Sequence, residues 1–218
     1  MLFAGGITLE LVIALALILL VALPFHEFSH ALAAYRLGDS TAKFMGRLTL
    51  NPLAHLDPIG SLLIIVGGFG WAKPTPYNPL NVQGGSRGEA LIAFAGPISN
   101  LVLAIAGALP LRYIIASGMD VPEVVAQTLF LFVFLNVSLM IFNLIPIPPL
   151  DGSKVLFAFM DRQTEYRWRP ILEQYGILIL LVAMFLPVLP GGQTVVDVVF
   201  DQLAIPLIEL LIGTNLRL

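Results

Sequence analysis

Cysteine is absent from the 218-residue chain, and charged residues make up only 11% of it. Without cysteine there is no disulfide framework, no thiolate metal site and no cysteine nucleophile. Any transition metal must therefore be held by His, Asp or Glu, and there are only three histidines, His26, His30 and His55. The formal net charge is −3 and no stripe of basic residues is present, which excludes a nucleic-acid-binding protein.

Apolar residues, by contrast, make up 58% of the chain, and the mean hydropathy is +0.92. Soluble domains have about 45–50% apolar and about 25% charged residues. The composition therefore predicts an all-α polytopic membrane protein, a bundle of helices embedded in the lipid bilayer. Hydrophobic runs predict five spans, at residues 7–37, 88–115, 121–144, 171–189 and 195–212.

Two shorter elements are predicted between the first and second spans. Residues 44–50 are rich in strand formers and predict a small strand or hairpin at the membrane edge. Residues 59–69 are apolar, but about 11 residues are too few to cross a bilayer core about 30 Å thick. This second stretch therefore predicts a re-entrant segment, which is tolerated where protein covers it or where it lines a cavity.

Basic residues indicate the orientation of the five spans. Ten of the eleven fall on one side, and only Arg112 falls on the other. The ten are Arg36, Lys43, Arg47, Lys73, Arg87, Lys154, Arg162, Arg167, Arg169 and Arg217. Because cytoplasmic loops carry an excess of Lys and Arg, this predicts a multi-pass protein of a prokaryotic plasma membrane with its N-terminus outside and its C-terminus in the cytoplasm.

The sequence His26-Glu27-Phe28-Ser29-His30 is an H-E-x-x-H motif within the first span. Residues four apart share one face of a helix, so both imidazoles can bind one metal ion. Zinc suits such ligands, and Glu27 beside them can take a proton from a water molecule. Ionisable residues in a membrane helix are costly, which favours a functional site over a chance match.

A catalytic zinc site needs a third protein ligand. The candidates are His55, Asp57 and Asp151. Asp151 follows the prolines at 146, 148 and 149 at the end of an apolar span, and its alternative role is to cap the helix that begins near Ser153. From the residues alone, the ligand and cap interpretations of Asp151 stay open. Asn100 likewise either bridges helices or lines the site, and Gly96 is expected to allow close helix approach.

The chain resembles the site-2 protease family of intramembrane zinc metalloproteases, peptidase family M50. The resemblance rests on residues 26–30, 46–60, 70–74, 95–100 and 143–152, and it covers about residues 24–155. It implies three helices around the zinc, with Asp151 as the third ligand, Glu27 as the general base and Asn143 as a polar group that steadies the oxyanion. It also implies that residues 44–50 form an edge strand that pairs with an unwound substrate. No PDZ or CBS domain is recognisable, so the resemblance is to a minimal member.

The resemblance implies a zinc-dependent intramembrane endopeptidase with one Zn²⁺ per chain, whose substrates are single-span membrane proteins or peptides. Residues 1–218 are expected to form one membrane-embedded domain, with the motifs at about 7–160 and two extra spans at about 171–212. Two alternatives remain. A metal transporter or sensor would not need Glu27, and a non-catalytic scaffold would close a structural zinc site with a fourth ligand such as His55 or Asp57.

Overall fold

The computed structural model describes residues 8–67, 70–189 and 191–214, which form helices joined by loops. In chain order the helices are α1 (Leu9–Arg36), α2 (Thr41–Phe44), α3 (Pro58–Gly67), α4 (Ser86–Ser117), α5 (Glu123–Asn143), α6 (Asp151–Phe159), α7 (Arg162–Phe185) and α8, which joins Val195–Val199, Phe200–Ala204 and Ile205–Ile212. Four of these, α1, α4, α5 and α7, are long and apolar enough to cross a membrane. The prediction of an all-α, multi-pass protein is confirmed, while Ile7, Gly68, Phe69 and Arg217 of the predicted segments lie outside the described residues.

Helix α1 ends near the predicted position, because Gly38 adopts a φ of +99° that favours glycine. Residues Ile18–Ala22 form a π-helical turn, in which the Leu23 N–H bonds to the Ile18 carbonyl. Pro24 follows this turn, and a proline ring clashes with the carbonyl four residues earlier in a regular α-helix. The wider turn relieves that clash and lets one helix continue across the proline.

Helix α1 runs antiparallel to α4, and α4 runs antiparallel to α5. Ile18 lies in the same apolar cluster as Leu103 of α4, whereas His30 near the other end of α1 contacts Ile92. Asn100 of α4 contacts Asn136 of α5. The three helices form a bundle in which His26 lies ten residues before Arg36, or about 15 Å from that end at 1.5 Å per residue. This depth is about half of a hydrocarbon core about 30 Å thick.

The proline-rich segment after α5 returns the chain to α1. Asn143 is the last residue of α5, and α6 begins at Asp151. A Cβ on Gly152 would lie 2.2 Å from the Leu144 carbonyl oxygen, so only glycine fits where α6 packs against this segment. The chain thereby brings Asp151, which is distant in sequence, beside α1.

The predicted strand or hairpin at residues 44–50 is not formed. Phe44 ends α2, whose first turn is held by a hydrogen bond from the Thr41 N–H to Asp39 Oδ1. The Arg47 N–H then bonds to the Ala42 carbonyl, and Gly46 adopts a φ of +70°. Local capping and turn formation therefore prevail over the strand preference of these side chains. Residues 59–67 of the predicted re-entrant stretch belong to α3, which begins at Pro58.

Residues 70–78 lie outside the helices and reach α1 through Thr75; we call them the extended segment, after the isolated β-bridge at Ala72. Ala72 forms an isolated antiparallel bridge with Leu56, and the Lys73 N–H donates to the His55 carbonyl at 2.7 Å. Arg47 is buried, and its Nη1 donates to the carbonyls of Ala54 and Lys73. These contacts fix the extended segment against the loop that precedes α3.

Five complete crossings are not confirmed. Val196 at the start of α8 packs in one cluster with Ile145, just beyond the end of α5, while Leu210 near the other end accepts a hydrogen bond from Arg112 of α4. Helix α8 therefore runs parallel to α4, and it ends where α4 ends. Because α1 begins at that same end, the first and last described residues lie at the same end of the bundle. The five-span arrangement with termini on opposite sides is therefore not confirmed.

Candidate metal centre

Three side-chain atoms from two distant parts of the chain converge inside the bundle. His26 Nε2 and His30 Nε2 lie 3.0 Å apart, and each lies 3.2 Å from Asp151 Oδ2. Both histidines are buried, with 6% and 7% of their surface exposed. In the described part of the chain, these three residues are the one group of His, Asp or Glu side chains with ligand atoms close enough to hold a metal ion.

Hydrogen bonds determine which imidazole nitrogen carries the proton. His26 Nδ1 lies 2.6 Å from Asn100 Oδ1, and His30 Nδ1 lies 2.7 Å from the Ile92 carbonyl oxygen. Both partners are acceptors, so each Nδ1 must donate a proton. In neutral imidazoles, both Nε2 atoms then present lone pairs to each other and to the Asp151 carboxylate. Three converging lone pairs repel one another unless a cation lies between them.

The geometry fits zinc. Bonds of about 2.0–2.2 Å in a tetrahedron place ligand atoms about 3.3 Å apart, close to the observed separations. Asp151 Oδ2 is buried and has no hydrogen-bond partner among the described residues. A buried carboxylate oxygen without a donor is costly, and a metal ion would satisfy it. The residues present therefore fit a site with three protein ligands and an open fourth position.

Gly96 of α4 lies directly against the two imidazoles. A Cβ at this position would lie 2.3 Å from His30 Nε2 and 2.6 Å from His26 Nε2. Any side chain larger than hydrogen would therefore occupy the space of the ligand atoms. Gly96 therefore allows α4 to approach α1 closely, as expected, and it does so at the metal-binding nitrogen atoms.

A chain of buried amides supports His26. Asn100 accepts from His26 through Oδ1 and donates through Nδ2 to Asn136 Oδ1 at 3.2 Å, and Asn136 donates to the Phe132 carbonyl at 2.9 Å. Neither asparagine is accessible to solvent. The two roles considered for Asn100 therefore coincide, because it bridges α4 to α5 and also orients His26. Sequence analysis missed Asn136, although a polar residue in an apolar span was a signal.

Glu27 lies beside the ligands and is held by the extended segment. Its Oε2 accepts a hydrogen bond from the Thr75 N–H at 2.8 Å, and its backbone carbonyl accepts one from Thr75 Oγ1 at 3.0 Å. The Glu27 side chain lines a cavity of about 230 Å³ together with His26, His30 and Asp151. The carboxylate is thus fixed at the site without occupying a ligand position.

The rest of the cavity wall comes from four parts of the chain. The extended segment supplies Trp71, Ala72, Pro74, Thr75 and Tyr77, α4 supplies Ile92 and Ala93, α5 supplies Asn143, and the start of α6 and the loop before it supply Pro149, Leu150 and Lys154. Asn143 Nδ2 donates to the Leu139 carbonyl at 2.9 Å, so one of its amide protons bonds to its own helix. The structure therefore brings all five predicted site residues to one cavity.

His55 and Asp57 lie elsewhere. His55 is fully buried, and its Nε2 lies 2.7 Å from the Thr49 carbonyl oxygen. Asp57 Oδ1 accepts a hydrogen bond from the Gly60 N–H at 2.8 Å at the start of α3. Neither belongs to the group that could hold a metal, so neither closes the site as a fourth ligand.

A cluster of charges adjoins the cavity where α4 and α7 meet. Arg169 forms ion pairs with Glu89, Glu165 and Glu173 at 2.8–3.0 Å. The Tyr77 hydroxyl donates to Glu89 Oε2 at 3.1 Å. Burial and the neighbouring Glu89 carboxylate raise the pKa of Tyr77 above its ordinary value, so the phenol keeps its proton. The cluster therefore links the cavity wall to α7.

Known proteins resemble the chain over most of its length. The model of peptidase family M50 matches residues 111–185. A protein named "Putative zinc metalloprotease YwhC" from Bacillus subtilis is 39% identical over 183 residues, which cover 82% of this chain and 83% of that protein. "Putative zinc metalloprotease Rip2" from Mycolicibacterium smegmatis is 34% identical over 176 residues, or 78% of this chain and 66% of that protein. No solved structure matches the chain.

Proposed function

Because the chain belongs to peptidase family M50 and is a zinc metalloendopeptidase, we propose that it cleaves membrane-spanning segments of other proteins within the bilayer. The observation that carries this proposal is the convergence of His26, His30 and Asp151 beside Glu27, about halfway along helices that are long enough to span a membrane. Peptide bonds that reach this site must therefore come from a segment that is itself in or near the membrane.

In this proposal each residue at the site has a separate role. His26, His30 and Asp151 hold the zinc ion, which supplies positive charge that polarises water and a peptide carbonyl. Glu27 takes the proton from the water and returns it to the leaving nitrogen. Asn143 provides a polar group for the oxygen on which negative charge develops. The absence of His55 and Asp57 from the metal group favours this function over a scaffold with a closed structural zinc site.

The substrate is proposed to lie extended along residues 71–75. A peptide bond in a membrane helix is shielded by its own hydrogen bonds, so the substrate must unwind and needs new backbone partners. Within 71–75, Ala72 forms a β-bridge, four of the five residues line the cavity, and Thr75 holds Glu27. An edge of extended backbone can pair with an extended peptide. This assigns to residues 71–75 the pairing role that the family resemblance implied for residues 44–50.

We further propose four crossings for the single domain of residues 1–218. Helices α1, α4 and α5 each cross once, and α7 and α8 together make the fourth crossing. Leu180 of α7 and Val196 of α8 pack in the same cluster around Ile145, so the chain between them does not change sides. The excess of basic residues in the loops beside Arg36 and Arg87 favours a cytoplasmic position for that end. Both described ends then lie outside.

The function is tested with purified protein, a single-span membrane substrate and a zinc assay. Glu27→Gln should retain zinc but lose about 10²–10⁴-fold in turnover, because Gln accepts no proton. Asp151→Ala should lose zinc as well as activity. Glu123→Gln is the matched control, since Glu123 is exposed and bonds only to Gln127 among the described contacts. Undiminished cleavage by Glu27→Gln would reject this mechanism and favour a metal transporter.

A further inference from the structure

Lys154 is the lysine that lines the cavity beside the candidate zinc ligands. The chain has three lysines, and the other two, Lys43 and Lys73, have exposed side chains. Lys154 follows Asp151 by three residues on α6, so the two side chains share one face of the helix with Cβ atoms about 5–6 Å apart. The ammonium group is therefore carried by the same helical turn that supplies the third ligand.

No carboxylate in the described part of the chain neutralises Lys154. The structure gives it no ion pair within 4.0 Å and no hydrogen bond, and Glu27 Oε2 is bonded to Thr75. The three glutamates of the neighbouring charge cluster are all paired with Arg169. An unpaired ammonium at a partly buried position in a membrane protein is costly. Such a charge is retained where it meets an electron-rich group of a ligand.

Peptide hydrolysis creates such a group. The water oxygen bonds to the carbonyl carbon, and the π-electron pair of the carbonyl moves onto its oxygen. Glu27 accepts the proton of the water and delivers it to the nitrogen as the C–N bond breaks and the carbonyl re-forms. Negative charge is therefore greatest on the carbonyl oxygen between these two events. Donors that are already positioned at that oxygen in a cavity shielded from water give large stabilisation.

We propose that Lys154 is a catalytic residue whose ammonium donates a hydrogen bond to this oxygen without transferring a proton. The proposal rests on the proposed function. Asn143 lines the same cavity, but one of its amide protons is bonded to Leu139 and it carries no net charge. Lys154 supplies the full positive charge that the amide lacks.

The test compares Lys154→Met, Lys154→Gln and Lys154→Arg with the wild type, using a single-span substrate and measuring kcat, KM and zinc content separately. Lys154→Met should lower kcat by about 10²–10³-fold, the effect of removing one such donor, with KM and zinc content near the wild-type values. The kcat of Lys154→Gln should lie between those of the wild type and Lys154→Met. Lys154→Arg should retain part of the wild-type kcat because the charge remains. Lys43→Met is the matched control and should behave as the wild type.

A phosphinic peptide inhibitor adds a readout that a structural role would not change. Its negatively charged oxygen stands where the carbonyl oxygen becomes negative, so its affinity should fall in Lys154→Met by about the same factor as kcat/KM. An unchanged kcat overturns the proposal, as does a rise in KM alone or a loss of zinc from both Lys154→Met and Lys154→Gln. If the wild type shows no zinc-dependent cleavage, or if Glu27→Gln cleaves normally, the proposed function itself fails.

Discussion

Polar side chains are buried in the metal-bearing half of the molecule, where Asn100 and Asn136 are inaccessible to solvent, whereas the buried positions of α7 and α8 are all apolar. A hydrogen bond fixes both distance and direction, while apolar packing tolerates sliding and rotation. The metal-bearing half can therefore fix both the distances between the three ligand atoms and the directions in which they point. The C-terminal helices are attached by apolar contacts and by a few polar ones, chiefly the Arg169 ion pair with Glu89 and the Arg112 hydrogen bond to Leu210, which is sufficient for a supporting element.

The largest effect is expected for Gly96→Ala in the metal-bearing half. The new methyl group would overlap both Nε2 atoms, so zinc binding and proteolysis should be lost completely. Gly107→Ala on the same helix is the control, because its Cβ would lie 2.9 Å from Phe132 Cδ1, where a ring can shift. Metal analysis of the two purified variants measures the difference. Full zinc occupancy in Gly96→Ala would contradict the close approach described above.

The second prediction concerns the direction of the C-terminal helices and has an all-or-none outcome. Single cysteines are introduced at Ser117, Thr214 and Leu80, in a chain that has none of its own. The first two should react with a membrane-impermeant reagent from one side, because Arg112 contacts Leu210 at that end of the bundle. Leu80 should react from the other side. A cysteine at Thr214 that reacts together with Leu80 would restore five crossings.

The third prediction tests how far the polar network extends from the metal. Asn136→Leu leaves Asn100 without its acceptor and loosens the orientation of His26, although Asn136 bonds to none of the three ligands. Loss of such a supporting partner weakens metal affinity by about 10–100-fold. Ser138→Ala on the same helix should leave the affinity unchanged. Competition with a zinc chelator provides the measurement, and equal affinities of the two variants would show that the network ends at Asn100.

The smallest effect on zinc affinity is expected when the ion pair that attaches α7 to α4 is removed. Arg169→Leu leaves the buried Glu89 without its ion pair and should cost about 1–3 kcal/mol of stability, with zinc affinity preserved. Arg167→Leu is the control, because the contact of Arg167 is with the neighbouring Trp168 ring. Thermal unfolding and hydrogen exchange in α7 measure the outcome. A loss of zinc affinity as large as that of Asn136→Leu would remove the distinction between the two halves.

Local sequence predicted the features that depend on a single helix. The four-residue spacing of His26 and His30 places both on one face, and Gly38 ends the helix that carries them. Asp151 could not be chosen as a ligand over a helix cap by its residue type alone, because its position depends on the packing of Gly152 against Leu144. The family resemblance supplied that choice.

Features that depend on several elements were missed or predicted incorrectly. The strand preference of residues 44–50 was real, but hydrogen bonds from Thr41 to Asp39 and the turn at Gly46 prevail over it. Hydrophobic runs predicted five crossings, and four helices are long and apolar enough to cross a membrane; hydrophobicity alone does not specify where a helix ends relative to its neighbours. To predict the roles of Gly96 and Asn136, one must know how three helices are rotated relative to one another, and no single segment of the sequence specifies this.

The π-helical turns before Pro24 and Pro206 also act as changes of phase. Each turn contains one residue more than an α-helical turn, so the residues after it lie about 100° behind the positions that an uninterrupted α-helix would give them around the axis. The buried Leu11 and Leu15 and the ligands His26 and His30 belong to one helix but follow different stripes along it. A regular α-helix of the same sequence would turn both imidazoles away from Gly96, whereas deletion of one residue between Ile18 and Ala22 would remove the π turn and leave their direction unchanged. The direction in which the ligands face therefore depends on the π turn that absorbs this extra residue.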